Sequence, residues 1–313
     1  MAENNLERPC RTYLFGHPLH QSLAPLLHST IFNSLGVPWT YEPVDSIDKD
    51  GFLPKLRADD FVGTAVTMPH KITWMEECDE ITEEGRAVGA INTVFIRKDP
   101  DTGERKYIGT NTDCVGVREA FLNNYPDILS HTRGKPGLVI GGGGAARSAI
   151  YALYKWLGTS EVYLVNRIEE EVKDIISSFA QAEGKPKLVH VATVEQAQQL
   201  EARTVIVGTV PNFPPSTEEE VLARNISLEF LKKDKKGYVL EMCYHPKIVT
   251  EFYTLAEQAN WNVLPGTEAM IYQGIAQEVL WMEKPLAEMP FKAARRAITD
   301  ALSKRHGAEI NRK

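Results

Sequence analysis

Short apolar runs closed by chain breakers recur along this sequence, and their spacing predicts its elements. Arg11–Phe15 reads as a strand and is broken by Gly16-His17-Pro18. Pro25 is placed to open a helix that runs to about Leu35 and stops at Gly36. Trp39–Val44 and the apolar run Phe61–Val66 read as strands, the second of them buried. Pro69 has no backbone donor and fixes its own φ, so that strand ends there; Lys71 follows where a helix begins. Helical pieces are predicted over Gly51–Arg57, over Trp74–Ile81 and on to Val88. Ile91–Ile96 and Arg105–Ile108 make a hairpin across Asp99-Pro100-Asp101-Thr102-Gly103. The polar run Gly109–Asp113 then leads into a helix over Cys114–Asn123, where Asp113 either caps that helix or faces a cleft.

Beyond a loop-like seam at Tyr125–Lys135 the pattern changes. Strands at Gly137–Ile140, Glu161–Val165, Lys187–Val191, Thr204–Val207, Gly237–Met242 and Trp261–Leu264 are separated by helices, among them Gly144–Leu157, Glu169–Ala182 and Ile248–Ala259. Such alternation predicts an α/β fold with a parallel sheet covered on both faces. Two helices, about Glu268–Met282 and Pro290–Lys304, finish the chain.

Composition narrows the function more than the fold. The 313 residues are 43% hydrophobic, enough for one large or two moderate domains with real cores. A net charge of -7 without a long basic run argues against nucleic acid and anionic membrane as partners. No apolar stretch approaches the roughly 20 residues of a membrane span. Met1–Thr12 lacks the apolar core of a signal peptide, and Cys10, Cys78, Cys114 and Cys243 are scattered, so a reducing cytoplasmic setting is expected. Neither the cysteines nor the histidines have metal-ligand spacing.

One loop carries a cofactor signal. Gly141-Gly142-Gly143-Gly144-Ala145-Ala146 fits G-x-G-x-x-A directly after a strand and at the start of a helix. Glycines there let the backbone approach a pyrophosphate, and the helix N-terminus offers unpaired amides. The next strand ends in Asn166-Arg167, followed by Glu169, Glu170 and Glu171. Asn166 can hydrogen-bond a ribose, while Arg167 can stack on adenine or meet a 2′-phosphate. Three carboxylates beside a 2′-phosphate are unfavourable unless they point away, which leans the expectation to NAD over NADP. Acidic residues also suit a helix N-terminus for its own sake.

Together these motifs resemble the shikimate/quinate dehydrogenase family over most of the chain. Gly16–Pro25 resembles its N-terminal segment, Val66-Thr67-Met68-Pro69-His70-Lys71 its Val-Thr-x-Pro-x-Lys block, and Gly89–Thr93 and Asn111–Gly116 two further blocks in order. Tyr244, Gly266, Met270 and Gln273-Gly274 match C-terminal blocks. The resemblance implies a substrate-binding and catalytic domain over residues 1–118, completed by 268–313, and a Rossmann dinucleotide-binding domain over 119–267. It implies reversible hydride transfer between NAD or NADP and a ring carbon of quinate or shikimate. Lys71 and Asp113 are then the catalytic pair, and Ser22, Thr67, Asn92, Asp113, Tyr244 and Gln273 bind substrate. Gly141, Gly143, Gly144, Ala145, Asn166, Arg167, Thr209, Met242, Gly266 and Met270 hold the cofactor. The partner is a small-molecule cyclic polyhydroxy acid, with no nucleic acid and no membrane, and the enzyme a monomer or homodimer.

The chemistry asks for these residue types on its own account. Oxidising a secondary alcohol releases a proton to a base, and a lysine serves as that base when neutral and as the acid in reduction. Several substrate hydroxyls need short polar partners. One departure from the family pattern bears on the substrate. Ala24 stands where the family has a second serine, which leaves Ser22 alone, or with Gln21, to meet the carboxylate. Its smaller side chain leaves room for the extra hydroxyl of quinate, so quinate is expected, with shikimate accepted. The readings set against this one are an NADP-dependent biosynthetic shikimate dehydrogenase, a non-catalytic quinate or shikimate sensor, and a methylene-tetrahydrofolate dehydrogenase-like enzyme. For His17, His20 and His70, packing or capping is as good an expectation as catalysis.

Overall fold

A computed structural model describes residues 6–20, 22–180, 184, 186–201, 204–244 and 247–310. The chain forms two compact units. The first runs to Thr112 and resumes at Gln273; the second is Asp113–Tyr272.

The first unit is built on six strands: β1 (Arg11–Gly16), β2 (Thr40–Asp45), β3 (Phe61–Val66), β4 (Glu80–Ile81), β5 (Thr93–Lys98) and β6 (Arg105–Thr110). Their order is β2-β1-β3-β5-β6-β4. The pairs of β1 with β2 and with β3 are parallel, whereas β3, β5 and β6 run antiparallel in turn. The Asp99–Gly103 turn therefore closes a hairpin, as its composition predicts. Glu80–Ile81, expected to end a helix, instead pairs in parallel with Ile108–Gly109 as an edge strand. Only one 3-10 segment, Thr73–Glu77, precedes it. Ile81 packs on the cluster of Tyr13, Phe15, Phe52, Phe61, Trp74 and Val94, and that burial outweighs local helical spacing.

Helix Ala24–Leu35 starts with Pro25 in its first turn and stops at Gly36, whose φ of 67° gives the left-handed C-cap. Gln21 and the helix end expected at Ala182 lie outside the described residues. After Gln273 the chain supplies the rest of helix Gly266–Met282 and the helix Phe291–Ile310, which packs on Ala24–Leu35. Trp281 donates its indole N–H to Val94 O at 3.1 Å. Gly63 makes that contact fit, because a Cβ there would lie 2.0 Å from the indole nitrogen.

The second unit holds β7 (Gly137–Ile140), β8 (Val162–Val165), β9 (Leu188–His190), β10 (Val205–Gly208), β11 (Tyr238–Glu241) and β12 (Asn262–Pro265). All neighbours are parallel, in the order β12-β11-β10-β7-β8-β9. The first strand is thus central and the order reverses between β7 and β10, the arrangement of a doubly wound nucleotide-binding sheet. Its core gathers Leu138, Tyr163, Val165, Ile206, Phe230, Val239 and Trp261. Inside the expected seam, Ile128–Thr132 is a short helix.

Candidate active site

In the first unit, four sequence blocks meet at one end of the sheet. Thr67 N donates to Phe15 O at 2.9 Å and His17 N to Met68 O at 2.9 Å, which ties the ends of β1 and β3. Gly16, at φ +151°, allows this approach; a Cβ there would lie 2.4 Å from Thr67 Cγ2. Val66 N donates to Asn92 O at 2.7 Å, Ile91 N to Lys71 O at 2.8 Å and Asn92 N to Thr110 O at 3.0 Å. Thr67 and Lys71 are half-buried, and their backbone is held on both sides. The hairpin register, Thr93 opposite Thr110, brings the Asn92 and Thr112 blocks side by side.

Asn92 is the hub. Its Oδ1 accepts from Thr112 N at 2.7 Å and from Thr93 Oγ1 at 2.9 Å, while its Nδ2 donates to Gln273 Oε1 at 3.3 Å. Thr112 Oγ1 lies 3.1 Å from Asn92 Oδ1 and 3.2 Å from Gln273 Oε1, and its one proton serves one of them at a time. Gln277 Nε2 donates to Thr93 Oγ1 at 2.9 Å. A carboxamide whose oxygen is fixed inward turns its NH₂ the other way, so the network sets Gln273 as a directed donor. Thr93, Thr112 and Gln277 were not expected as functional residues. Gln277 stands four positions after Gln273 and so shares its helix face, a signal the sequence did carry.

Ser22 Oγ accepts from Ala24 N at 3.2 Å, which leaves its own proton for another acceptor. His17 Nδ1 lies 2.7 Å from Asp45 Oδ1; this bond and the Leu19 amide hold the Asp45 carboxyl below the usual range. His70 stacks on Phe15 at 4.4 Å and is buried, a packing role.

In the second unit the glycine loop lies at the point where the strand order reverses. Gly141, at φ +124°, is pressed against Thr209, whose hydroxyl donates to Ile140 O at 2.8 Å; a Cβ on Gly141 would sit 2.2 Å from Thr209 Oγ1. At Gly143 and Gly144 a Cβ would meet nothing within 4 Å. Gly143 gives helix Gly144–Tyr151 no side-chain cap, so its first amides and the half-buried Ala145 suit an anion that approaches the backbone. The residues present therefore fit a dinucleotide's pyrophosphate.

Asn166 Nδ2 donates to Glu171 Oε2 at 2.6 Å, and both groups sit over Gly142, where a Cβ would be 2.4 Å from each atom. Arg167 pairs instead with Glu220. The Glu220 carboxyl is pulled down to about 2, first by the Ser216 amide and hydroxyl and also by Arg167. Glu169 and Glu170 turn to Lys173. Met242 and Gly266 are in contact, since a Cβ on Gly266 would lie 2.1 Å from Met242 O. Tyr244 and Met270 are half-buried. Asp113 opens the second unit, next in chain to Thr112. Among the described residues no helix is long and apolar enough to cross a membrane, and no three acidic, histidine or cysteine side chains gather as a metal site.

Residues 14–94 match the family model for the shikimate dehydrogenase substrate binding domain. The chain is 44% identical over 294 residues to the quinate dehydrogenase of Emericella nidulans, covering 89% of each. The chain belongs to the shikimate/quinate dehydrogenase family. It is therefore an oxidoreductase with the two-domain α/β fold of that family, including its Rossmann-like domain. The dehydroquinate dehydratase and shikimate dehydrogenase of S. pombe AroM superposes with a TM-score of 0.78 at 30% identity, covering 93% of this chain and 53% of that one. The quinate dehydrogenase of Corynebacterium glutamicum, solved with NAD, shares the fold with a TM-score of 0.77 at 22% identity, covering 94% of this chain and 100% of that one.

One buried acid in the second unit lies outside the expected set. Glu241 ends β11 at 2% exposure, against Gly208, where a Cβ would meet its Oε2 at 2.1 Å. Burial raises its carboxyl from 4.5 to about 8, only partly offset by hydrogen bonds from Cys243. The folded state thus keeps a proton that the unfolded chain has lost. The Glu241 contribution to stability is full below about pH 4.5, falls as pH rises to about 8 and levels off there. In urea titrations, Glu241→Gln is expected to flatten that decline; an unchanged slope would show that Glu241 does not cause it.

Proposed function

We propose that this enzyme oxidises a ring hydroxyl of quinate to the 3-dehydro ketone, accepts shikimate as a second substrate, and prefers NAD. The observation that carries the reading is the 44% identity to a quinate dehydrogenase across 89% of both chains. In this reading residues 1–118 with 268–313 bind the acid and 119–267 bind the dinucleotide. A bound nicotinamide dinucleotide supplies the hydride acceptor. Lys71 takes the proton of the reacting hydroxyl and returns it in reduction, and Asp113, its catalytic partner, accepts a hydrogen bond from another substrate hydroxyl and orients the ammonium. Ser22 and Thr67 donate hydroxyl protons to the acid, Asn92 and Gln273 give amide donors to its ring hydroxyls, and Tyr244 lies near its carboxylate or the nicotinamide. Gly141, Gly143, Gly144 and Ala145 present backbone to the pyrophosphate, with Thr209, Met242, Gly266 and Met270 along the rest of the cofactor.

Preference for NAD is supported by the use made of the charges after β8. Glu220 occupies Arg167, a cation suited to a 2′-phosphate, and Glu171 holds a carboxylate over Gly142 where it would repel one. Asn166 and Glu171 together offer polar partners for a 2′-hydroxyl. Four scattered cysteines, none in a disulfide, fit a cytoplasmic enzyme, taken here as a monomer or homodimer.

The test is absorbance at the reduced-nicotinamide band with quinate or shikimate, each with NAD and with NADP. Quinate with NAD is expected to give the highest kcat/KM, and Lys71→Ala to lower kcat by roughly 10²–10⁴-fold. Reduction in none of the four combinations would favour a sensor, and near-normal turnover of the variant would remove Lys71 from the mechanism. Ala24→Ser restores the family's second hydroxyl and is expected to shift preference toward shikimate. An unmoved ratio of kcat/KM for the two acids would defeat the argument from size.

A further inference from the structure

Helix Gly266–Met282 carries, besides Gln273, a buried carboxyl that the proposed chemistry does not use. Glu278 Oε1 lies 2.5 Å from Nδ1 of His28, and both side chains are 0% exposed. His28 belongs to helix Ala24–Leu35, which directly follows Ser22 and Leu23. Its ring stacks on Tyr41 at 4.1 Å and 13° and tilts against Trp281 at 5.3 Å. It also lies against Gly274, where a Cβ would stand 3.6 Å from His28 Nε2 and 2.3 Å from Leu27 Cδ2. Gly274 is the neighbour of Gln273.

Stability alone is a poor reason for this pair. His28 Nε2, Glu278 Oε2 and Tyr41 Oη are buried with no hydrogen-bond partner among the described residues. Apolar side chains of similar volume would remove the two orphaned atoms of the pair itself, and such replacements are often neutral or stabilising. What a short polar contact adds is direction, because it holds at one relative rotation of two helices and is lost at others. On the Glu278 side, that rotation is the one that aims Gln277 at Thr93 and Gln273 at Asn92. On the His28 side, it fixes the helix that leads back to Ser22.

We propose that the His28–Glu278 pair is a positioning device that sets Gln273 against Ser22, and so fits the first unit to its cyclic acid. The inference rests on the reading that this unit binds such an acid. Its test uses the full-length enzyme with quinate and NAD. The variant carrying His28→Phe with Glu278→Leu is expected to keep or raise Tm. Its KM for quinate should rise roughly 10- to 100-fold, the scale of a 1 Å misplacement, while KM for NAD stays unchanged. Glu278→Gln keeps an oxygen acceptor for the ring N–H and is expected to retain the wild-type KM. If the double variant does not fold, Glu278→Leu alone carries the same expectation for the two KM values, at a lower Tm because it leaves His28 without its partner, and is read against Glu278→Gln. A folded apolar variant with wild-type KM for quinate overturns the proposal, as does a Glu278→Gln enzyme damaged as badly as the apolar one. Wild-type enzyme that turns over quinate, beside either result, keeps the functional reading intact; wild-type enzyme inert toward quinate overturns both.

Discussion

The first unit depends on a single side-chain carbonyl. Asn92 Oδ1 receives the Thr112 amide and the Thr93 hydroxyl, and its own amide reaches Gln273. Asn92, Thr93 and Thr112 are at most 3% exposed, so their side chains have little water to fall back on. A buried acceptor with this many donors fixes the start of β5, the end of β6 and a helix from the far end of the sequence in one geometry. The segments that carry Lys71 and Thr67 are then pinned to it through backbone bonds from Ile91 to Lys71 and from Val66 to Asn92. Catalysis by position requires this rigidity, because acid/base transfer works only when donor and acceptor stay within hydrogen-bond reach.

The second unit solves a different problem by removal of side chains. Glycines at 141 and 142 let Thr209 and the Asn166–Glu171 pair close on the loop, while 143 and 144 leave the space before the helix open. In the proposed function, backbone amides would then do the work that lysines do elsewhere, so an acidic chain could still bind a pyrophosphate. Arg167 pairs with Glu220, and Lys173 with Glu169 and Glu170, so these charges after β8 are met within the unit.

Much of this was legible in the sequence, and what was not has a common cause. Periodicity and breakers placed nearly every strand, because those signals are local, and the motif blocks of Asn92 and Gln273 are ones that a hydrogen bond joins. Glu80–Ile81 has helical spacing in the sequence but is a strand by its pairing with β6. The Arg167–Glu220 pair joins residues 53 apart, and His28–Glu278 residues 250 apart. No spacing rule reaches that far. Thr112 and Gln277 escaped notice for a simpler reason: each flanks a more conspicuous neighbour, and only the hydrogen-bond network shows which of the two supports the other.

The most direct measurement of this account is kcat/KM for quinate in Asn92→Ala, taken beside its Tm. If Asn92 is the hub, the variant stays folded and loses roughly 10²-fold or more in kcat/KM, the scale of a small displacement of reacting groups. A folded variant with kcat/KM near that of the wild type would contradict it.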